Sequence, residues 1–216
     1  MTIDELEKLI KGRRSIRQWK KGDVPEALLK RAVELATWAP NGGNFQRWQF
    51  KVIRNRGVIV TLADAVQAIA DKAASWPEAL ARKEDMERSK RNASYFRNAA
   101  ACIAVFTNQY QSPLDEVLTT RSRIDDEAKE LLARRKSAPT SVQSASAAAT
   151  TLLLALHAMG LGAVWLAFPL VAKKEVEALL KVPDHTDFVC LIAVGYPAES
   201  PVKERKSVDE VLEFIR

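Results

Sequence analysis

The chain has 216 residues, 47% of them apolar and 28% charged, and a formal net charge of +6. That length can bury a sizeable core, and the balance of apolar and charged residues excludes a disordered chain. The excess of positive charge leaves nucleic acid, an acidic membrane surface or a phosphorylated small molecule open as partners, without choosing among them.

The two cysteines, Cys102 and Cys190, lie in apolar, strand-like runs, which suggests a reduced, cytoplasmic protein rather than a disulfide scaffold. The start, "MTIDELEKLI", lacks the apolar core of a signal peptide. His157 and His185 stand far apart without cysteine neighbours, so no metal site is expected.

Thr2 and Glu5 have capping-box spacing, predicting a helix from Ile3 until Gly12 stops it. Asp23 and Glu26 repeat the device before a helix whose apolar face includes Leu28, Leu29, Ala32 and Ala36. "APNGGNFQRW" enforces a loop, and "WQFKVIRN" reads as a strand. Residues 58–74 have helical spacing, and Ser75 with Glu78 reads as a capping box opening a charged helix to about Arg97. "AACIAVFT" is a buried strand. The polar segment from Asn108 to Pro139 carries a predicted helix at about Ile124–Arg135.

The apolar stretch "SASAAATTLLLALHAMGLGAVWLAFPL" is long enough to span a membrane. His157 in its middle, the break at "MGLG" and the strand-like "AVWLAF" favour a buried central helix, a glycine turn and a core strand. "KKEVEALLKVP" is an amphipathic helix, "FVCLIAVGYP" a last core strand, "ESPVKERKS" a basic loop and "SVDEVLEFI" a short capped segment. Six to eight helices and four strands in mixed order predict an α+β fold. Its central sheet is expected to be mostly antiparallel or mixed, with four to five strands flanked by helices. One domain is expected over 1–216, with a helical excursion at about 71–139 shaping a substrate pocket.

Four clusters could carry chemistry. Arg13, Arg14 and Arg17 supply permanently charged planar forks and Ser15 a hydroxyl, a set that suits a phosphate and equally describes a solvated basic turn. Asn41, Asn44 and Gln46 offer amides that match the edge of a heteroaromatic ring or simply satisfy their own turn. Gly-Leu-Gly at 160–162 follows a helix, so it is no dinucleotide fingerprint and reads as a helix stop. Lys203 to Lys206 form a second basic cluster.

In order and spacing these clusters resemble the FMN-dependent nitroreductase family, from about residue 5 to the C-terminus. The family's Arg-Arg-Ser-Ile-Arg pattern stands intact at Arg13–Arg17, with Trp19 beyond it. Its Ala-Pro-Ser-x-x-Asn-x-Gln-Pro-Trp-x-Phe pattern is found as Ala39, Pro40, Asn41, Asn44, Gln46, Arg47, Trp48 and Phe50. Asn41 replaces the usual serine and Arg47 the usual proline. The long apolar helix ending in Gly-Leu-Gly and the "AVGYP" strand end also match.

The resemblance implies that Arg13, Ser15 and Arg17, with contacts from Arg14, hold the FMN phosphate and ribityl chain, completed by Arg205 and Lys203. It implies an intertwined homodimer with FMN at the interface, Pro40, Asn41, Gly42 and Asn44 reaching the partner's flavin beside Gln46. Trp165, Leu166, Ala167 and Phe168 would line the isoalloxazine, and Gln143 its pyrimidine edge. The implied reaction is ping-pong: NADH or NADPH reduces FMN, and a nitroaromatic, quinone or similar acceptor then takes the electrons. No side chain in the motifs reads as an obligatory acid or base, so none is named catalytic. Relatives on this fold also fragment flavin or dehalogenate. A basic nucleic-acid-binding module fits less well, because the arginines are split between two loops separated by most of the chain.

Overall fold

The computed structural model describes residues 2–108 and 112–216. Its helices are α1 (Ile3–Gly12), α2 (Glu26–Ala36), α3 (Arg56–Ala74), α4 (Lys83–Arg91), α5 (Pro113–Arg121), α6 (Asp126–Ser137), α7 (Thr140–Ala158) and α8 (Lys173–Leu179). The strands β1 (Trp48–Ile53), β2 (Ala101–Asn108), β3 (Gly162–Leu166) and β4 (Thr186–Gly195) form one sheet in the order β1-β2-β4-β3. Every pairing within it is antiparallel, so the fold is α+β.

Successive side chains of a strand point to opposite faces, and here both faces are covered. Ala101, Ile103 and Val105 of β2, with Ile192 and Val194 of β4, pack under Leu29 of α2 and Leu152 and Leu156 of α7. Cys102, Ala104 and Phe106, with Leu191 and Ala193, pack under Ile59, Leu62 and Val66 of α3 and Val176 of α8. Double coverage is why β2 and β4 read as unbroken apolar runs instead of alternating ones. Each large aliphatic or aromatic side chain buried this way contributes about 1.5–3 kcal/mol. The ladder steps from Val105↔Cys190 to Phe106↔Phe188, which makes Val189 the extra residue of a β-bulge.

Ala145, Ala148 and Ala149 are fully buried, and their small side chains let α7 lie close to its neighbours. Among the described residues no helix is long and apolar enough to cross a membrane.

Three expected boundaries shift. Pro25, not Asp23, is the N-cap of α2, which has no side-chain cap. Ser75 closes α3 through N–H bonds to Asp71 and Lys72 carbonyls, so it does not open a new helix. The charged helix expected to Arg97 is therefore broken into a 3-10 turn at Pro77–Arg82, then α4, then a second such turn at Tyr95–Asn98. The polar excursion holds a helix the sequence reading lacked: α5, opened by a Ser112–Asp115 capping box with Pro113 in its first turn. Helices α5 and α6 pack together through Leu118, Ala128 and Leu132, a small cluster separate from the sheet's two cores.

Candidate functional site

The arginine segment leaves α1 in extended conformation at Arg13 and runs along β3. Ser15 forms a parallel bridge with Ala163, whose carbonyl accepts the Ile16 N–H at 3.1 Å. Trp19 bridges Pro197, and the Lys20 N–H reaches the Tyr196 carbonyl at 2.9 Å.

Two glycines make the contact close. A Cβ on Gly162 would lie 2.9 Å from both Cγ atoms of Ile16, and one on Gly195 would lie 2.8 Å from Cδ1 of Trp19. Trp19 Nε1 also donates to the Gly162 carbonyl at 2.9 Å. The Gly-Leu-Gly motif therefore divides its work. Gly160, at φ +76°, takes the left-handed turn that ends α7, whereas Gly162 makes room for the arginine segment.

The segment's far end is held by Glu199, whose Oε1 accepts the backbone N–H of Arg17 and, at 3.1 Å, that of Gln18. Arg13, Arg14 and Ile16 line a cleft of about 210 Å³ with Leu153, His157 and Glu199. Arg14 folds back onto the end of α1, where its guanidinium donates to the Lys11 carbonyl and, at 2.8 Å, to that of Arg13. Arg17 donates to the Ser15 carbonyl at 3.4 Å and its charge acts on the Tyr95 phenol, whose ring stacks on Trp19 with centroids 6.4 Å apart. Burial raises the Tyr95 pKa against the pull of Arg17.

Arg205, from the exposed C-terminal loop, comes close enough to act on Arg13. Partial burial, then the charges of Arg205 and Arg14, pull the Arg13 pKa below its ordinary value. His157 is also lowered, by burial and then by Arg13 and Arg14. Like charges gathered from both ends of a chain form an arrangement that a bound anion relieves. Lys203 lies exposed in the same loop.

The amide loop lies elsewhere. Asn44 and Gln46 have φ of 53° and 50°, a left-handed backbone that costs non-glycine residues about 1–3 kcal/mol each. Asn41 Oδ1 accepts the Gln46 N–H at 2.9 Å, and Gln46 Nε2 reaches the Asn44 carbonyl at 3.5 Å, so these amides partly serve their own turn. Gly42 N–H donates to Ser144 Oγ at 3.3 Å, which ties the loop to α7. Pro40 and Asn44 are exposed, and Gln143 donates to the Ala138 carbonyl at 2.8 Å. Asn41, Gly42 and Gln46 line a cavity of about 1030 Å³ with residues of α5, α6, α7 and β4. Trp165 is half-buried on the α7 face of the sheet, Leu166 is buried on the other, and Ala167 and Phe168 are exposed beyond the strand.

The two cavities share no lining residue. Leu153 and His157 of α7 line the first, and Thr140 to Val142 and Ser144 line the second. At 1.5 Å per residue, Ser144 and Leu153 are about 14 Å apart along the helix axis. Strand β4 repeats the separation, with Asp187 and Phe188 in the second cavity and Pro197, just past its end, in the first. One chain thus keeps the arginine cluster and the amide loop at opposite ends.

Sequence reasoning placed Ile16, Trp19 and Gly195 in motifs without giving them a role in the first site, and did not single out His157 or Glu199 for it. The pairing of Trp19 with Gly195, far apart in the chain, left no local signal. A carboxylate close after "GYP" was a weak one.

Comparison with known proteins identifies the family. The Nitroreductase family profile matches residues 10–196. An NADH dehydrogenase of Thermus thermophilus is 31% identical over 200 residues, 87% of this chain and 84% of that protein. A 5,6-dimethylbenzimidazole synthase of Rhodospirillum rubrum is 30% identical over 205 residues, 93% of this chain and 86% of that protein. Among solved structures, a BluB-like flavoprotein of Clostridium difficile superposes with a TM-score of 0.82 at 24% identity, covering 98% of this chain and 99% of that one. A proposed nitroreductase in complex with FMN, from Desulfovibrio desulfuricans, gives 0.70 at 25% identity, covering 100% and 99%. With the arginine segment seated on β3 and the family profile matching nearly the whole chain, this protein belongs to the nitroreductase family.

Proposed function

We propose that the protein is an FMN-dependent oxidoreductase that takes electrons from NAD(P)H and passes them to an electron-poor acceptor such as a nitroaromatic or a quinone. The observation that carries this reading is the cleft lined by Arg13 and Arg14, with the charge of Arg205 acting on Arg13, an arrangement that fits a phosphate-bearing ligand. When bound, FMN supplies the two-electron chemistry, accepting hydride from the nicotinamide and delivering electrons to the acceptor.

This chain's residues bind and orient. Arg13, Ser15 and Arg17, with Lys203 and Arg205, hold the phosphate and ribityl chain, and Arg14 secures the end of α1 beside them. Ala167 and Phe168, exposed past Leu166, would line the ring, and the cationic side chains favour negative charge at the site. The relatives' names, NADH dehydrogenase among them, support a nicotinamide reductant.

The 14 Å offset along α7 supports a homodimer. A two-fold that sets two copies of α7 antiparallel brings one chain's arginine cluster to the other's amide loop. The exposed or half-buried Ser146, Ala147 and Thr150 give that helix a face for a second copy.

The purified protein should be yellow and release FMN on denaturation; colourless protein that takes up no added FMN overturns the reading. Arg17→Ala and Arg205→Ala should each weaken FMN binding by about tenfold, the scale of one charge-assisted hydrogen bond. Full occupancy of both variants at low FMN would refute the phosphate assignment. An FMN-loaded monomer on a sizing column would refute the dimer.

The dimethylbenzimidazole synthase relative favours a second reading, in which flavin is itself consumed with oxygen. Under the first reading, anaerobic NADPH bleaches the flavin spectrum and a nitroaromatic restores it in full. Irreversible loss of the spectrum after admission of air would favour the second.

A further inference from the structure

We infer that the 1030 Å³ cavity selects acceptors that are flat and negatively charged, aromatic carboxylates being the simplest class. This rests on the flavoenzyme reading, in which the amide loop that helps line the cavity would face a flavin.

The charge of the lining is lopsided. Among the described residues, Arg47, Arg135, Lys136 and Lys173 face two carboxylates, Asp115 and Asp187, with His185 the remaining titratable group. Both carboxylates are already engaged. Arg135 grips Asp115 with a fork of two bonds, Nε to Oδ1 and Nη2 to Oδ2 at 3.1 Å, and the Lys173 ammonium bonds Asp187 Oδ1. The lining therefore holds two more permanent cations than carboxylates. Arg47 comes from the amide loop and Lys136 from the end of α6, so the surplus is spread across the cavity rather than confined to one solvated face.

Two further features point the same way. Helix α7 opens into this cavity at Thr140, Ser141 and Val142 with no side-chain cap, and helix N-termini attract negative charge. The Arg47 guanidinium stands 5.1 Å from the centroid of Phe45, a residue 51% exposed. A cation stacked on an aromatic ring, with Leu132, Leu170 and Phe188 also in the lining, suits a flat ligand that ends in an anion. Arg47 is also where this chain departs from the usual proline of the family pattern.

Calorimetry on the oxidised, FMN-loaded protein, without reductant, compares 4-nitrobenzoate with its neutral isostere 4-nitrobenzamide. Wild type should bind the carboxylate about tenfold more tightly, and the preference should shrink as salt rises. Arg47→Gln with Lys136→Gln should abolish the preference. The single change Lys136→Glu, at an exposed position, brings the lining to the same balance of charge and should abolish it too, without endangering the fold. Equal binding of the two ligands by wild type, or a preference that survives both variants, overturns the inference.

The phosphates of the nicotinamide reductant are the competing source of negative charge. A rise in KM for NADH or NADPH with an unchanged benzoate preference would assign the cations to the reductant and overturn the inference. A yellow, NADH-reducible protein without charge preference sinks this inference alone. A protein that never takes up FMN removes the flavoenzyme reading, and this inference with it.

Discussion

Ile16 occupies the space that a side chain on Gly162 would need. Both Cγ atoms and the Cβ of Ile16 lie within 3.0 Å of that position, and Ile16 is itself buried, so neither partner can swing away. Gly162→Ala should cost about 1–3 kcal/mol, as overpacking does. In a chain of this size each kcal/mol lowers Tm by about 2–4 °C. Because the clash lifts the arginine segment from β3, FMN uptake should weaken with Tm. Calorimetric melting and flavin titration of the variant measure both; an unchanged Tm would show that the segment does not depend on this contact.

Glu199 acts on the segment's other end by accepting two backbone N–H groups. Glu199→Gln keeps a carbonyl acceptor, whereas Glu199→Ala leaves the Arg17 and Gln18 amides to solvent, at a cost of about 1 kcal/mol. Hydrogen exchange at those two amides should accelerate in the alanine variant and stay near wild type in the glutamine one.

The physical reasons for what was and was not legible in the sequence show in these same residues. The strands and α7 were readable because both faces of the sheet are buried, which writes continuous apolar runs into the chain. The Arg13–Arg17 pattern was readable as a cluster, but its seat was not. Gly162 and Gly195 are spacers for Ile16 and Trp19, and a local reading of glycine finds only a helix stop. Ser75 and Asp23 have the chemistry of N-caps, yet α3 runs through to Ala74 and Pro25 sets the start of α2. Helix α5 escaped notice because only Leu118 of its residues is buried, too little to produce a periodicity. The large cavity is assembled from several elements far apart in sequence, and no single motif announces it.

The α5–α6 pair should be acid-sensitive. The fork from Arg135, with bonds from Ser112, holds the Asp115 carboxyl well below the usual carboxylate range. A depressed pKa contributes stability that is present above the unfolded value, about 3.9, and is lost as pH falls through the folded one. Hydrogen exchange across 113–137 should therefore rise in acid well below pH 4. Asp115→Asn should show faster exchange already at neutral pH, with a flatter acid response.

His157 is acid-sensitive for a different reason. Burial and the charges of Arg13 and Arg14 keep its pKa below 6.5, so the unfolded chain binds the proton first as pH falls. Stability should decline with acidification from near 6.5 until the native imidazole titrates too. A bound anion offsets the arginines and should raise that pKa. Proton NMR of the His157 ring, with and without FMN, reads the shift; an identical titration in both states would place the anion elsewhere.

The thiols give a folding probe. Burial pushes Cys102 and Cys190 up to about 12, and they lie on opposite faces of the sheet. Iodoacetamide at pH 8 should spare both in the native protein and modify both in denaturant, because only the thiolate reacts. Rapid native labelling of either would contradict this burial.

The bridge from Ser15 to Ala163 has a consequence for solubility. Strand β3 is the last in the sheet, and its outer rim of N–H and carbonyl groups would otherwise stand ready to pair with any extended chain. The segment that carries the arginines covers that rim, and its charges repel a second strand of the same kind. A lesion that frees the segment thus uncovers an aggregation template in the same event that dismantles the anion site, so precipitation and loss of ligand should arrive together.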